Sequence, residues 1–186
     1  KYEALNPGGS IKDRPVKYIL DHMDLEKGDT IVEATSGNTG ISLAMMCAER
    51  GYKCSIVMPK DMSIERKQMM KFFGAELHEV EEGNFDVAIA YKEYLSDING
   101  YVELNQFNNP LNIECHKNTT CVEIINQCYG KEISAFVAGT GTGGTLMGIH
   151  TGFKNLDKGA KIIAVEPLES PVMSGGEKGL HGIQGI

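Results

Sequence analysis

Three short segments hold residue types whose spacing could do chemistry. Asn6–Arg14 reads NPGGSIKDR, a Pro-Gly-Gly turn that delivers Lys12 to the start of a helix. A lysine there sits against the helix macrodipole, which favours anions at that end. That position, together with burial, would depress its pKa and favour the neutral amine. A neutral lysine amine can form a Schiff base with an aldehyde. The same lysine could equally be a solvated side chain in a turn. Thr35–Gly40, TSGNTG, brings hydroxyls, an amide side chain and backbone N–H groups to a helix N-terminus. Such a loop suits a carboxylate or a phosphate, and it would also serve as an ordinary Ser/Thr-capped turn. Gly139–Thr145, GTGTGGT, lets consecutive N–H groups face one anion, with phosphate the natural guest. It also satisfies G-x-G-x-x-G through Gly139, Gly141 and Gly144, with Glu166 lying 22 positions beyond Gly144. That spacing fits a dinucleotide-binding fingerprint. A plain glycine-rich turn is a further reading.

The elements that must position these loops read as alternating strands and helices. Short β-rich runs fall at Thr30–Ala34, Lys53–Met58, Ala75–Val80, Ser134–Ala138 and Lys161–Glu166, bounded by glycine, proline or polar residues. Helical patterns occupy about 13–26, 39–50, 63–73, 84–97, 113–129 and 144–153. Gly51 and Gly74 each follow a helix, where a C-cap glycine belongs, and Pro15 falls in a first turn, where a missing N–H is harmless. Repeated strand–helix–strand units imply a parallel sheet flanked by helices. Ligands in such folds sit beyond the carboxyl ends of the strands, which is where both the 37–40 and 139–144 glycine clusters fall. Glu103–Leu111 is the longest polar break and could join two lobes.

Composition bounds the rest. The 186 residues carry a net charge of −7, 22 glycines, five cysteines and no tryptophan. The length suits one ordinary domain or two small lobes, large enough to need no disulfide or metal. The acidic balance argues against nucleic acid, whose phosphates need a basic face. No apolar stretch approaches the roughly 20 residues that cross a bilayer. The opening KYEALNPGGS lacks the charged start and apolar core of a signal peptide, so the expectation is a soluble, cytoplasmic protein. Cys115, His116 and Cys121 lie close together, but no second ligand pair follows at zinc-finger spacing. The cysteines are expected to be reduced thiols, with no metal site.

In their order, the three segments resemble the fold-type II pyridoxal 5'-phosphate (PLP) enzymes, and within them the cysteine synthase (O-acetylserine sulfhydrylase) family. NPGGSIKDR is similar to its lysine motif, TSGNTG to its substrate loop and GTGGT to its phosphate cup. GDTIVEATSGNTGISLA, VMPKDMSIERKQMMKFFGAEL, QFNNPLN and AVEPLESPVMSGGEKGLHGIQGI also match, so the likeness spans essentially the whole chain. It implies an α/β fold of the tryptophan synthase β-like architecture, two lobes each with a mainly parallel sheet flanked by helices. The implied division is 16–105 as the substrate-loop lobe, with 51–105 mobile, and 1–15 plus 106–186 as the larger phosphate lobe. It further implies a chain lacking both ends of the usual enzyme, including the segment that brings a Ser or Thr to the pyridine nitrogen.

By the same resemblance, Lys12 holds PLP and later removes the substrate α-proton. Asn38 bonds the phenolic oxygen of the ring. Gly141, Thr142, Gly143, Gly144 and Thr145 bind the phosphate. Thr35, Ser36, Gly37, Thr39 and Gln106 hold the substrate carboxylate, and Gly182 flanks the site mouth. Asp13 and Arg14 take structural roles. The implied reaction joins O-acetylserine and sulfide into L-cysteine by β-replacement, through an α-aminoacrylate. The implied partners are a second copy, as a homodimer, and serine acetyltransferase. Cystathionine β-synthase shares the three motifs, although SPVMSGG, HGIQGI and QFNNP favour cysteine synthase; threonine or serine dehydratases come third. Outside the class stand an NAD-binding oxidoreductase domain, resting on Gly139–Glu166 alone, and a non-catalytic partner-binding paralogue.

Overall fold

A computed structural model describes residues 1–35, 37–156, 159–183 and 185. They form two compact units, Lys1–Asn109 and Pro110–Ile186. The first is built on strands β1 (Thr30–Ala34), β2 (Lys53–Pro59), β3 (Glu76–Val80) and β4 (Val102–Glu103) in the order β3-β2-β1-β4, all parallel. Helices α1 (Asp13–Asp21), α2 (Asn38–Arg50), α3 (Ile64–Phe72) and α4 (Phe85–Asn99) connect them. TIVEA and KCSIVMP are short apolar runs because both faces of β1 and β2 are covered. Val32 and Ala34 pack with Val57, Ala88 and Leu95 under α4. Gly51 ends α2 in a left-handed C-cap, its N–H bonded to the Cys47 carbonyl, as the sequence predicts.

Two features of this unit differ from expectation. The first helix stops at Asp21, not at 26. His22 Nδ1 donates to the Tyr18 carbonyl at 2.7 Å, while Glu26–Asp29 closes its own turn, the Glu26 N–H bonding Asp29 Oδ2 at 2.8 Å. These local bonds compete with helix continuation. Strand β4 has two residues, too few to leave a periodic signal.

The second unit pairs β5 (Ala135–Gly139) with β6 (Lys161–Val165) in parallel. Helix α7 (Gly144–Asn155) joins them, and α5 (Pro110–Cys115) and α6 (Cys121–Gln127) are linked by a π turn at His116–Thr120. The sequence shows one helical stretch there; the π turn adds no polarity change that could mark it. Cys121, Ile149 and Phe153 form the core with Ile124, Ile125, Phe136 and Ile162. Gly144, Gly148 and Gly152 line one face of α7. A Cβ on Gly148 would stand 2.7 Å from the Ile113 carbonyl oxygen, one on Gly152 would overlap the Cys121 thiol, and one on Gly144 would overlap the Asn112 amide. The stripe lets α7 approach the α5–α6 helix almost backbone to backbone. No helix among the described residues is long and apolar enough to cross a membrane.

Candidate active site

Each unit carries part of the predicted site. In the first, the turn before α1 is held by short bonds. Gly9 donates its N–H to the Asn6 carbonyl at 2.7 Å, and Gly8 donates to Asp13 Oδ2 at 2.6 Å. The other Asp13 oxygen accepts the Ser42 hydroxyl of α2. Asp13 is thus a buried latch between this turn and α2. Arg14 Nε meets Glu3 Oε2 at 2.7 Å. Burial pushes the Glu3 carboxyl up, but hydrogen bonds from Arg14, Asn6 and Lys1 outweigh it and hold the pKa at about 2. Lys12 lies between these anchors as the N-cap of α1, its own N–H bonded to Ser10 Oγ at 3.2 Å. Burial pulls its ammonium pKa below the ordinary lysine value. The electrostatically odd position inferred from sequence is therefore a desolvated one.

Strand β1 ends in the 35–40 loop. Thr35 is buried, donates its N–H to the Val57 carbonyl at 3.1 Å, and accepts the Gly37 N–H on Oγ1 at 3.2 Å. Asn38, half-buried, opens α2, and Gly37 supplies no side-chain cap there. Thr39 donates its hydroxyl to Gln106 Oε1 at 2.7 Å across 67 residues, and Gln106 Nε2 donates to the Ala34 carbonyl at 3.3 Å. Thr35, Gly37, Thr39 and Gln106 thus gather at the C-terminal end of β1. Ser36 lies outside the described residues.

In the second unit, Thr140 follows β5 and donates its N–H to the Val165 carbonyl at 3.0 Å. Gly143 is the N-cap of α7 at φ +77°, a left-handed conformation that suits glycine. Thr142 Oγ1 accepts Asn112 Nδ2 at 3.0 Å, and Thr145 Oγ1 meets His116 Nε2 at 3.2 Å. The buried His116 also bonds Thr120 Oγ1 through Nδ1 at 2.9 Å. The Thr140 hydroxyl is buried with no hydrogen-bond partner. That is an open demand at the loop where an anion was expected. Gly182 lies exposed in an irregular stretch, away from any contact that a side chain there would make.

Two residues escaped the sequence reading. Asn112 stands in the quoted QFNNPLN block, and its amide carries Thr142. His116 was weighed only beside Cys115 and Cys121; its ring instead braces two threonines. A signal existed for both, since the helix facing a Gly144/Gly148/Gly152 stripe must supply whatever polar groups border the loop. No group of three His, Cys, Asp or Glu among the described residues could hold a metal. Glu166, which the dinucleotide reading needs free, accepts the N–H groups of Met173 and Ser174 at 2.7 and 2.8 Å and the Ser174 hydroxyl at 2.6 Å.

Known proteins resemble this chain in sequence and in fold. A family model described as "Pyridoxal-phosphate dependent enzyme" matches residues 1–182. The chain is 47% identical to the cysteine synthase of Staphylococcus aureus (strain Mu50), over all of the chain and 62% of that protein. It therefore spans less than two thirds of the curated relatives it matches. Among solved structures, cysteine synthase from Entamoeba histolytica aligns with TM-score 0.93 and 43% identity, over the whole chain and 56% of that protein. O-ureido-L-serine synthase aligns with TM-score 0.96 and 36% identity, covering 60% of that protein.

Proposed function

Since this chain belongs to the pyridoxal-phosphate dependent enzyme family, we propose that it forms L-cysteine from O-acetylserine and sulfide by β-replacement. The observation that carries the reading is the bond between Thr39 and Gln106 at the N-terminus of α2, a seat for an amino-acid carboxylate assembled from two distant motifs. The chain's donors fit the cofactor: a desolvated lysine for its aldehyde, and for its phosphate an orphaned hydroxyl beside a helix N-terminus. When bound, PLP supplies the electron sink that lets a Cα–H bond break.

The remaining work falls to the protein. Lys12 would anchor the cofactor and, once released as a neutral amine, take the α-proton. Asn38 would meet the ring oxygen, and Gly141, Thr142, Gly143, Gly144 and Thr145 would bind the phosphate, with Asn112 and His116 orienting the two threonines. Thr35, Ser36, Gly37, Thr39 and Gln106 would fix the substrate carboxylate, and Gly182 would border the mouth. Acetate would then leave the β-carbon, sulfide would take its place, and Lys12 would return the proton to the α-carbon. Closure would move 16–105, chiefly 51–105, against 1–15 and 106–186. The Asp13–Ser42 and Thr39–Gln106 bonds would be the joints between those parts. A cytoplasmic homodimer that binds serine acetyltransferase completes the proposal.

Borohydride reduction of the PLP-loaded protein, followed by peptide mapping, tests it. The label is expected on Lys12, together with cysteine formation from O-acetylserine and sulfide. Both should vanish in Lys12→Ala. A Lys12→Ala protein that still makes cysteine would sink the reading. Gel filtration, alone and with serine acetyltransferase, checks the partners.

A further inference from the structure

Glu33 is a carboxylate in the middle of a central parallel strand, 1% exposed. Its neighbours along β1, Ile31, Val32 and Ala34, are all buried and apolar. A carboxylate in such a place is costly unless hydrogen bonds compensate it. Glu33 Oε2 accepts the backbone N–H of Gln106 at 3.2 Å across 73 residues. The backbone groups of Asn105 and Ala34 also bond the carboxylate, and the Lys92 ammonium favours its charged form. Asn105 has φ +55°, and among the described residues it is the one non-glycine in the left-handed region. Two successive N–H groups converging on an anion through a left-handed residue form a nest. Here the acceptor is the protein's own side chain.

We propose that Glu33 is a positioning residue for substrate binding: its buried carboxyl is the internal acceptor that folds the Asn105–Gln106 turn and so presents the Gln106 amide beside Thr39. The inference rests on the carboxylate seat proposed above. It explains why a buried acid stands two residues before Thr35, where an aliphatic side chain would otherwise complete the apolar run. Glu33 does not touch substrate in this scheme. It acts through Gln106, whose side chain is already fixed between Thr39 and Ala34.

The test uses the PLP-loaded protein and its Glu33→Gln and Gln106→Ala variants. In Glu33→Gln, amide exchange at 105–106 should accelerate while the rest of β1 stays protected. The KM for O-acetylserine should rise about tenfold, the scale of one lost hydrogen bond, because the amide replaces one of the two acceptor oxygens with a donor. The KM for sulfide and the absorbance of the bound cofactor should not move. Unchanged exchange and unchanged O-acetylserine KM in Glu33→Gln, with Gln106→Ala impaired, would overturn the inference and leave the seat standing. An unimpaired Gln106→Ala would overturn the seat itself, and the inference with it. Should Glu33→Gln not fold, the wild-type protein decides: Gln106 N–H exchange as fast as that of exposed Phe107 overturns the proposal, and strong protection supports it.

Discussion

The loop at 35–40 and the loop at 139–145 both follow a parallel strand and open a helix, yet the protein weights the devices that build them differently. In the first unit the strands behind the loop are covered on both faces, and the residues are tied by side-chain bonds spanning 29, 67 and 73 positions. In the second unit the sheet has two strands, with Val137, Ile163 and Val165 exposed, and the loop is set by how closely α7 approaches α5 and α6. Long-range polar bonds dominate the first loop; the second adds close helix approach to two side-chain bonds of its own, Asn112 to Thr142 and His116 to Thr145. The first should fail when a hydrogen-bonding group is removed, the second when an atom is added.

The strongest way to break this contrast is Gly148→Val. The Ile113 carbonyl and the Lys117 N–H are backbone and cannot swing aside, so the cost should be about 3 kcal/mol. Urea unfolding that matched the wild type would remove close approach as the organising device. Next comes the pH dependence of Glu33. Its carboxyl is raised from 4.5 to about 7, mainly by burial, against the pull of Gln106, Lys92, Asn105 and Ala34. The folded state therefore holds this proton more tightly than the unfolded chain. Its stabilising effect is fully present below pH 4.5 and is lost as pH rises to about 7. The gap from 4.5 to about 7 limits the effect to about 3 kcal/mol. The unfolding free energy measured across that window should fall in the wild type relative to Glu33→Gln; parallel curves would refute it.

Asp13→Ala should cost about 2 kcal/mol by orphaning the Gly8 N–H and leaving the Ser42 hydroxyl only the Asn38 carbonyl, read as a lower urea midpoint. A midpoint equal to the wild type would show that the first unit is not held by this latch. Asn112→Ala should have the smallest effect on stability but weaken PLP about tenfold, because Thr142 loses its brace. Equilibrium dialysis of PLP measures it, and unchanged affinity would mean that the second loop needs no polar support at all.

Much of the frame was legible because it depends on local composition. TIVEA marks β1 to the residue, and Gly51 marks the end of α2, since burial on both faces and a left-handed cap each leave a compositional trace. Thr35, Gly37, Thr39 and Gln106 were named from motifs, but the bond joining Thr39 to Gln106 could not be read, because nothing in either motif encodes where a chain returns after 67 residues. Glu33 was invisible for the opposite reason. A single polar residue in an apolar run looks like noise until the nest that holds it is seen. The π turn at His116–Thr120 rotates one helical stretch without changing its polarity, so nothing in the sequence marks His116 as the brace it is.

Strand β4 pairs only Val102 with Ile31 and Glu103 with Val32, joining β1 across about 70 residues of intervening chain. Such a contact closes the longest loop in its sheet and gives little pairing energy in return, so it belongs late in folding. The Asn105–Gln106 turn follows immediately. The first unit can therefore assemble β1, β2 and β3 with their helices before Gln106 reaches Thr39, which makes that bond the last tie of the 35–40 loop to close.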